Sequence, residues 1–573
     1  MKLAPYKPPV EDKSESGQPS ERSPQISMAM SVGRASVLLA AMIALSRIVG
    51  YGRMVLTSYL YGIGPQTDAY NAAFNITDTL TILIAGGALA TGFVPVFTDL
   101  LAKGDTQGAQ RTFRALWTVL CVGFGLITVV LFLATYSPLK TMLAPQDVEP
   151  QYINLYLEIL RILLVAQFIF VLGGLFAGTL NALRLFWFPA LQPLVFNVGI
   201  IVFGLIGPFF LDMSIESQAW GALMGAVVGS VVIQIPALYR QGLSLLPLFE
   251  WNDPGVGRVL KSLLPIAFGL SSGQIIALAL PRFFAVYLPV GDLTALDNAN
   301  RLMQIPIAIL AAGPAIALYP TLSLLWSQNR NSELRTEISS ALRRTLFLML
   351  MATALLLALG QSVIHLLLEY GEFDRQDTLL TARVLFAYTF GLIGLGAQQF
   401  LARGFYAMGN TKAPVTIGVM TMLLFFVLAF LAVWLAPDGV AGAGAVNLAM
   451  AAAASITFLA VFMWFVLDTK LHGIGTGQTI SMMLRGFMAA AVSYGVTSVT
   501  QGAMFMAVAN IDGDDVSTPL RLLARLLVVV VSAAAGVAAF IIIAALFSVR
   551  EVQPITGKVT GWRKRGRFFT TVD

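Results

Sequence analysis

Charged side chains within long apolar segments are the residues of this sequence best placed to do chemistry. Of its 573 residues, 57% are hydrophobic and only 12% are charged. A charged side chain near the centre of a bilayer costs about 2.5–3.5 kcal/mol on insertion scales, so such residues usually serve a function or an ion pair. We single out seven of those in or beside the apolar segments, namely Arg47, Arg53, Arg282, Arg301, Asp68, Asp78 and Asp297.

The arginines among these residues indicate an anionic ligand. A guanidinium group binds phosphate and carboxylate oxygens through paired hydrogen bonds. Because arginines outnumber acids, the cavity that they would line is net positive, and we predict that Arg47, Arg53, Arg301 and Arg282 bind the substrate. The alternative is a structural role, in which each arginine pairs with an acid or a backbone carbonyl. Arg47 and Arg53 lie about 120° apart around a helix, which favours a broad, solvated site.

The remaining composition argues against other kinds of site. The single cysteine, Cys121, cannot form an internal disulfide. The two histidines, His365 and His472, lie far apart, which argues against zinc or haem. No G-x-x-x-x-G-K-S/T loop occurs. The net charge of +6 comes mostly from links between apolar segments, so we do not expect nucleic acid as a partner. We predict a transporter rather than an enzyme, with no cofactor and no metal.

The elements that must position these residues are membrane-spanning helices. Apolar segments long enough to cross about 30 Å of hydrocarbon predict an all-α polytopic membrane protein with about fourteen transmembrane helices. The segments are 36–60, 69–100, 112–135, 157–182, 187–209, 217–239, 259–288, 294–325, 342–367, 379–407, 413–436, 440–467, 480–509 and 519–548.

The distribution of Lys and Arg predicts the orientation of these helices. Basic links alternate with neutral or acidic links such as Gln146–Glu149, Glu369–Asp377 and Asn510–Asp515. Cytoplasmic links carry the excess of Lys and Arg. An even number of helices, with both termini in the cytoplasm, fits this alternation.

A weak internal repeat predicts the domain organisation. Asn71-Ala72 recurs as Asn298-Ala299, 227 residues later. An even number of helices separates the copies, so two lobes would pair about an axis along the membrane normal, with the substrate site between them. The predicted domains are a disordered cytoplasmic tail (1–33), an N-terminal six-helix lobe (34–240), a cytoplasmic linker (241–258), a C-terminal six-helix lobe (259–468), two additional transmembrane helices (469–550) and a basic cytoplasmic tail (551–573).

Eight short segments, taken in order, resemble signatures of the MurJ (MviN) family of lipid II flippases. This family is part of the multidrug/oligosaccharidyl-lipid/polysaccharide exporter superfamily. The resemblance covers roughly residues 36–550. The segments are Ser46–Arg53, Thr67–Tyr70, Gly87-Ala88, Phe93–Pro95, Asn300–Pro306, Glu369–Phe373, Gly404–Ala407 and Thr411–Pro414.

The resemblance implies a fourteen-helix flippase of the bacterial cell inner (plasma) membrane. Such a protein moves lipid II, the undecaprenyl-pyrophosphate-linked peptidoglycan precursor, from the inner to the outer leaflet by alternating access. The family's cavity arginines fall on Arg47, Arg53 and Arg301, and its outer-gate aspartate on Asp68; we extend the gating role to Asp78. The extra helix pair would hold the lipid tail. Lipid II and membrane lipids are the expected partners of a monomer, with cell-wall synthesis proteins as candidate associates.

The sequence departs from the family at several positions. Met54 stands where many relatives carry an acid, Thr81 where they carry an arginine, and Gly86 where they carry a glutamate. Arg282 is a candidate for the missing positive charge. Leu280 is the nearest match to an acid that holds sodium in some relatives, and 413–436 contains no acid. We therefore do not predict a sodium site.

Two other functions stay open at the level of sequence. The first is export of another lipid-linked glycan or an amphipathic compound, although an exporter of cationic drugs would need carboxylates in its cavity. The second is a non-transporting membrane scaffold for cell-wall synthesis, with the two tails as docking segments. Loss of activity on deleting 1–30 or 555–573, but not on changing the arginines, would favour the scaffold.

Overall fold

The computed structural model describes residues 32–84, 88–136, 149–250, 253–261, 275–276, 280–285, 288–435, 442–508 and 518–552. Every regular element within these ranges is a helix, which confirms the all-α prediction. The predicted tails 1–33 and 551–573, the glycines at 86 and 87, and the predicted links at Gln146–Glu149 and Asn510–Asp515 lie wholly or partly outside the described residues.

The contacts within the chain divide it into two units. The first combines Met1–Tyr61 with Pro65–Ser271, and the second combines Gly62–Gly64 with Ser272–Asp573. Helices of the first unit are α1 (Val32–Tyr61), α2 (Pro65–Ile84), α3 (Ala88–Ala102), α4 (Thr106–Ala134), α5 (Pro150–Ala182), α6 (Trp187–Phe210), α7 (Glu216–Arg240) and α8 (254–261).

The second unit contains nine described helices. They are α9 (Leu280–Ala285), α10 (Asp292–Ser327), α11 (Asn331–Leu367), α12 (Arg375–Thr389), α13 (Leu392–Ala407), α14 (Lys412–Trp434), α15 (Ala443–Lys470), α16 (Thr476–Val508) and α17 (Thr518–Leu546). Helix α10 includes a π-helical segment, Ala308–Ala312, and α7 includes another, Val227–Val232. Pro306 and Pro314 flank the segment in α10, which accounts for its irregular hydrogen bonding.

Many of these helices are long and apolar enough to cross a membrane. Within the described residues ten single helices meet this description, and the pair α12 and α13, bent by 46°, would make an eleventh span. The chain is therefore a multi-pass membrane protein. The count of about fourteen spans stays a prediction, as do the predicted domain bounds, because several apolar segments fall in the ranges that the structure does not describe.

The core of the first unit forms where α3, α4 and α5 pack together. Its buried aromatic residues include Phe93, Phe97, Phe113 and Phe176. The segment after α7 closes this core from one side, with Leu243, Val256 and Val259 also buried in it. Apolar residues recur along the facing sides of neighbouring helices, and these sides are therefore buried where the helices pack together.

Part of the predicted linker 241–258 is attached to α4 by polar contacts. Asp253 Oδ1 accepts hydrogen bonds from Thr112 Oγ1 at 3.1 Å and from the backbone N–H groups of Gly255 at 2.8 Å and Val256 at 3.0 Å. Arg111 pairs with Glu250 nearby. The segment therefore packs against the helices of its own unit.

Helices α16 and α17, predicted as additional membrane spans, pack together and against α11. Ser493 Oγ on α16 donates to the Gly536 carbonyl on α17 at 2.8 Å. A Cβ atom at Gly536 would lie only 2.0 Å from Thr497 Oγ1, so glycine allows this close approach. Small residues at a helix contact are typical of membrane bundles.

Candidate substrate-binding site

In the first unit, the predicted binding residue Arg53 lies on α1 against α2. Its side chain is buried, with 9% of the residue exposed. Its guanidinium carbon lies 5.5 Å from the centroid of the Phe74 ring on α2, a distance typical of a cation–π contact. One turn further along α1, Thr57 Oγ1 donates to Gln218 Oε1 on α7 at 2.8 Å. Contacts on two sides thus fix the part of α1 that carries Arg53.

Arg47 has different surroundings from Arg53, although both lie on α1. Arg47 is exposed, whereas Arg53 is buried. The predicted gating residues Asp68 and Asp78 are both half-buried on α2, Asp68 in its first turn. Their separation along α2 corresponds to about 15 Å, so they cannot act at the same depth. All four residues belong to the first unit.

In the second unit, Arg282 and Arg301 share one carboxylate, that of Asp297. Arg282 on α9 pairs with Asp297 Oδ1, and Arg301 Nε donates to Asp297 Oδ2 at 2.6 Å. Asp297 and Arg301 stand four residues apart on α10 and therefore face the same side of the helix. We call Arg282, Asp297 and Arg301 the Asp297 cluster. It carries one net positive charge.

The two arginines of the Asp297 cluster differ in accessibility. The side chain of Arg282 is 5% exposed and that of Asp297 is 3% exposed, but Arg301 keeps 25% of its side chain exposed. Arg301 can therefore reach a ligand from this position, whereas Arg282 is almost fully buried beside the carboxylate. The sequence had drawn attention to Asp297 without assigning it a role. Its spacing of four residues from Arg301 is the signal that would have identified the pair.

The start of α10, which carries the Asp297 cluster, is fixed by backbone contacts. The buried carboxylate of Asp292 accepts a hydrogen bond from the Ala445 N–H on α15 at 3.2 Å. Gly291, just before the helix, has φ = 97°, a left-handed conformation that glycine adopts without strain. These contacts hold the first turns of α10 against α15, and so they position Asp297 and Arg301.

The link between α1 and α2 belongs to the second unit, although both helices belong to the first. The Ile63 N–H donates to Asp377 Oδ2 at 3.0 Å. Gly62 has φ = 56°, and a Cβ atom there would lie 2.4 Å from the Glu372 carbonyl oxygen. Sequence reasoning did not find this contact, since nothing in the local pattern relates residues so far apart in the chain.

A further arginine, Arg403 on α13, was also missed. Its Nη1 donates to the Gln399 carbonyl at 2.6 Å and to Gln399 Oε1 at 3.0 Å. Within the part of the chain that the structure describes, no carboxylate lies within 4.0 Å of it. The residue directly precedes the family signature Gly404–Ala407, and its charge inside an apolar helix is the signal that should have drawn attention.

A polar cluster joins α11, α12 and α17 at the link after α11. His365 Nδ1 lies 2.8 Å from Glu369 Oε2, which also accepts from Thr378 Oγ1 at 2.6 Å. Arg525 on α17 donates to the His365 carbonyl at 3.1 Å. Burial alone would raise the pKa of Glu369, but hydrogen bonds from His365 and Thr378 and the charges of His365 and Arg375 outweigh it and lower the pKa to about 2. Glu369 is therefore ionised at neutral pH.

Comparison with known proteins identifies the family. The family model described as lipid II flippase MurJ matches residues 57–511. A probable lipid II flippase MurJ of Buchnera aphidicola subsp. Acyrthosiphon pisum is 28% identical over 389 residues, covering 68% of this chain and 76% of that protein.

Two solved structures share the fold. Lipid II flippase MurJ in an inward closed conformation covers 89% of this chain and 98% of its own, with a TM-score of 0.67 and 20% identity. An inward-facing multidrug resistance MATE family transporter of the MOP superfamily covers 77% of this chain and 99% of its own, with a TM-score of 0.62 and 16% identity. These likenesses establish the fold, and the family model covers most of the chain. The chain belongs to the MurJ family of transporters, as its sequence signatures predicted.

Proposed function

We propose that this chain is a lipid II flippase, which carries the undecaprenyl-pyrophosphate-linked precursor from the inner to the outer leaflet by alternating access. The observation that carries this proposal is the Asp297 cluster, in a chain that belongs to the MurJ family. The formal charges of its two arginines and one shared acid sum to +1, and Arg301 and Asp297 lie on the membrane-spanning helix α10. Such a charge suits a pyrophosphate better than a neutral or cationic ligand.

The arginines divide the work between them. Arg301 contacts the pyrophosphate through its partly exposed guanidinium. Arg47 and Arg53 on α1 stay predicted substrate-binding residues. Arg282 assists Arg301 through Asp297. Because the Asp297 carboxylate pairs with both arginines, it neutralises only part of the positive charge of Arg301. Without Arg282, Asp297 would pair with Arg301 alone, and the cluster would have no net charge.

Release on the outer side depends on the residues that close the outer mouth. Asp68 and Asp78 on α2 have this gating role. The Asp377 carboxylate contributes to this gating role. It accepts a hydrogen bond from the Ile63 N–H and so holds the link that joins α1, which carries Arg47 and Arg53, to α2. When that hydrogen bond breaks, α1 and α2 gain freedom to move at their joined ends.

The orientation and surroundings follow from the same function. The inner leaflet of a bacterial plasma membrane supplies lipid II. The helix ends next to basic links, which include Arg240, Arg330 and Lys412, face the cytoplasm, because cytoplasmic links carry the excess of Lys and Arg. Both termini then lie in the cytoplasm. The chain works as a monomer beside the enzymes that consume its product.

Replacing Arg301 tests this function in cells depleted of their own flippase. We expect that the unchanged chain restores growth. Arg301→Ala should reach the membrane but fail to restore growth, because the partly exposed guanidinium is lost. Arg383→Ala is the matched control, since Arg383 is an exposed arginine on α12 of the same unit. Growth restored equally by both variants would exclude Arg301 from the site.

A further inference from the structure

A cationic pocket that contains no residue of the Asp297 cluster lies where the first turns of α16, the segment after α17 and the first half of α11 meet. Its volume is about 390 Å³. All of its residues belong to the second unit. It is lined by Arg343, Gly477, Gln478, Ser481, Met482, Arg485, Ser548, Val549 and Glu551.

The two arginines of this pocket are not equally neutralised. Arg343 Nε donates to Glu551 Oε1 at 3.0 Å, which cancels one charge. Arg485 donates to the Phe547 carbonyl at 3.3 Å, and among the described residues no carboxylate pairs with it. Most donors of the Arg485 guanidinium are therefore available. The pocket carries one net positive charge.

The pocket offers further hydrogen-bond donors beside Arg485. In the described part of the chain the side chains of Gln478 and Ser481 have no hydrogen-bond partner. Gln478 lies in the first turn of α16, where backbone N–H groups lack partners within the helix and the helix dipole is positive, and Ser481 lies in the second turn. A Cβ atom at Gly477 would have no other atom within 4 Å, so the backbone there borders open space. Together these groups form a cradle for a small anionic group.

An apolar stripe continues from the pocket along α16. The exposed residues Ile480, Leu484, Phe487 and Met488 are 50%, 63%, 47% and 45% accessible. Their spacing of four, seven and eight residues from Ile480 places them on one face of the helix. Ser481 and Arg485 of the pocket directly follow two of them in sequence. A ligand with an anionic head and an apolar tail would contact both features.

We propose that this pocket binds the phosphate of an anionic glycerophospholipid, with its acyl chains along the apolar stripe. The pocket size lies within the range of small-molecule sites, about 300–1,000 Å³. In the proposed orientation these helix ends face the cytoplasm, so the lipid comes from the inner leaflet. The ligand is a phospholipid of the surrounding bilayer and not the transported precursor, and the inference does not require that the chain flips any lipid.

The test measures lipid binding by the purified full chain in detergent. Native mass spectrometry would give the bound fraction during titration with phosphatidylglycerol and, separately, with phosphatidylcholine. We expect tighter binding of phosphatidylglycerol. Arg485→Gln should weaken that binding about tenfold, since it removes a charged hydrogen bond to phosphate. Gly477→Leu should weaken it as well, because the leucine side chain fills the pocket without changing a charge.

Two controls make the outcome decisive. Arg240→Gln removes an exposed arginine at the end of α7 in the first unit and should leave binding unchanged. Inorganic phosphate at millimolar concentration should not displace the lipid. Equal binding of the two lipids, full affinity in both pocket variants, or displacement by inorganic phosphate would overturn the proposal.

Discussion

At the scale of single residues, the decisive feature is that Asp297 serves two arginines. A buried ion pair is neutral and has little to offer an anion, but this cluster keeps one positive charge. The sequence predicted both arginines because each stands in an apolar segment. It could not predict that they share an acid, since Arg282 and Asp297 lie on different helices and only their packing brings them together.

Asp297→Asn should destabilise the protein strongly. The change removes the carboxylate that pairs with the buried Arg282, and removing one partner of a buried pair costs about 3–5 kcal/mol. Thermal unfolding of the purified chain would measure the loss. The matched control is Asp212→Asn, because Asp212 is exposed and its positive φ of 53° suits asparagine. Equal melting temperatures for the two variants would contradict the ion pairing described for the Asp297 cluster.

At the scale of elements, the link between α1 and α2 is fixed by a residue far away in sequence. Asp377 lies in the first turn of α12, next to the cap residue Asp374, which accepts from the N–H groups of Gln376 at 2.7 Å and Asp377 at 2.9 Å. The sequence resemblance marked the segment Glu369–Phe373 before it. The role of Asp377 follows only from the fold.

Asp377→Ala should release the link. The Ile63 N–H loses its acceptor, so its hydrogen exchange should accelerate about tenfold, as expected for the loss of a hydrogen bond to a charged group. Exchange measured by mass spectrometry on peptides covering 60–66 would show the change. Glu372→Ala serves as the control, because the exposed Glu372 approaches Gly62 only through its backbone carbonyl. Unchanged exchange in Asp377→Ala would exclude this attachment.

The polar cluster at the end of α11 predicts a dependence of stability on pH. The pKa of Glu369 is lowered from 4.5 to about 2 in the folded protein. The stabilisation is therefore complete above about pH 5 and decreases as the pH falls toward the folded pKa. Glu369→Gln should lower the melting temperature at pH 6, and by less at pH 3.5. A difference that grew toward acid pH would contradict the assigned contacts.

At the scale of the whole molecule, composition predicted the class of fold, and sequence signatures predicted the family. Both predictions rest on properties that repeat along the chain, namely apolar length and local motifs, and both are confirmed. The packing of Asp253 onto α4 and the isolated charge of Arg403 were not anticipated. The packing of Asp253 depends on contacts between distant segments, which hydrophobic periodicity does not encode, whereas the charge of Arg403 was visible in the sequence and was missed.

The most direct test of the account follows lipid II in cells depleted of their own flippase. The quantity to measure is the fraction of lipid II that reaches the outer leaflet when the chain is expressed. We predict that the unchanged chain and Arg383→Ala restore this fraction, whereas Arg301→Ala leaves lipid II in the inner leaflet. Normal delivery of lipid II to the outer leaflet by Arg301→Ala would contradict the central claim that the charge of the Asp297 cluster binds the substrate.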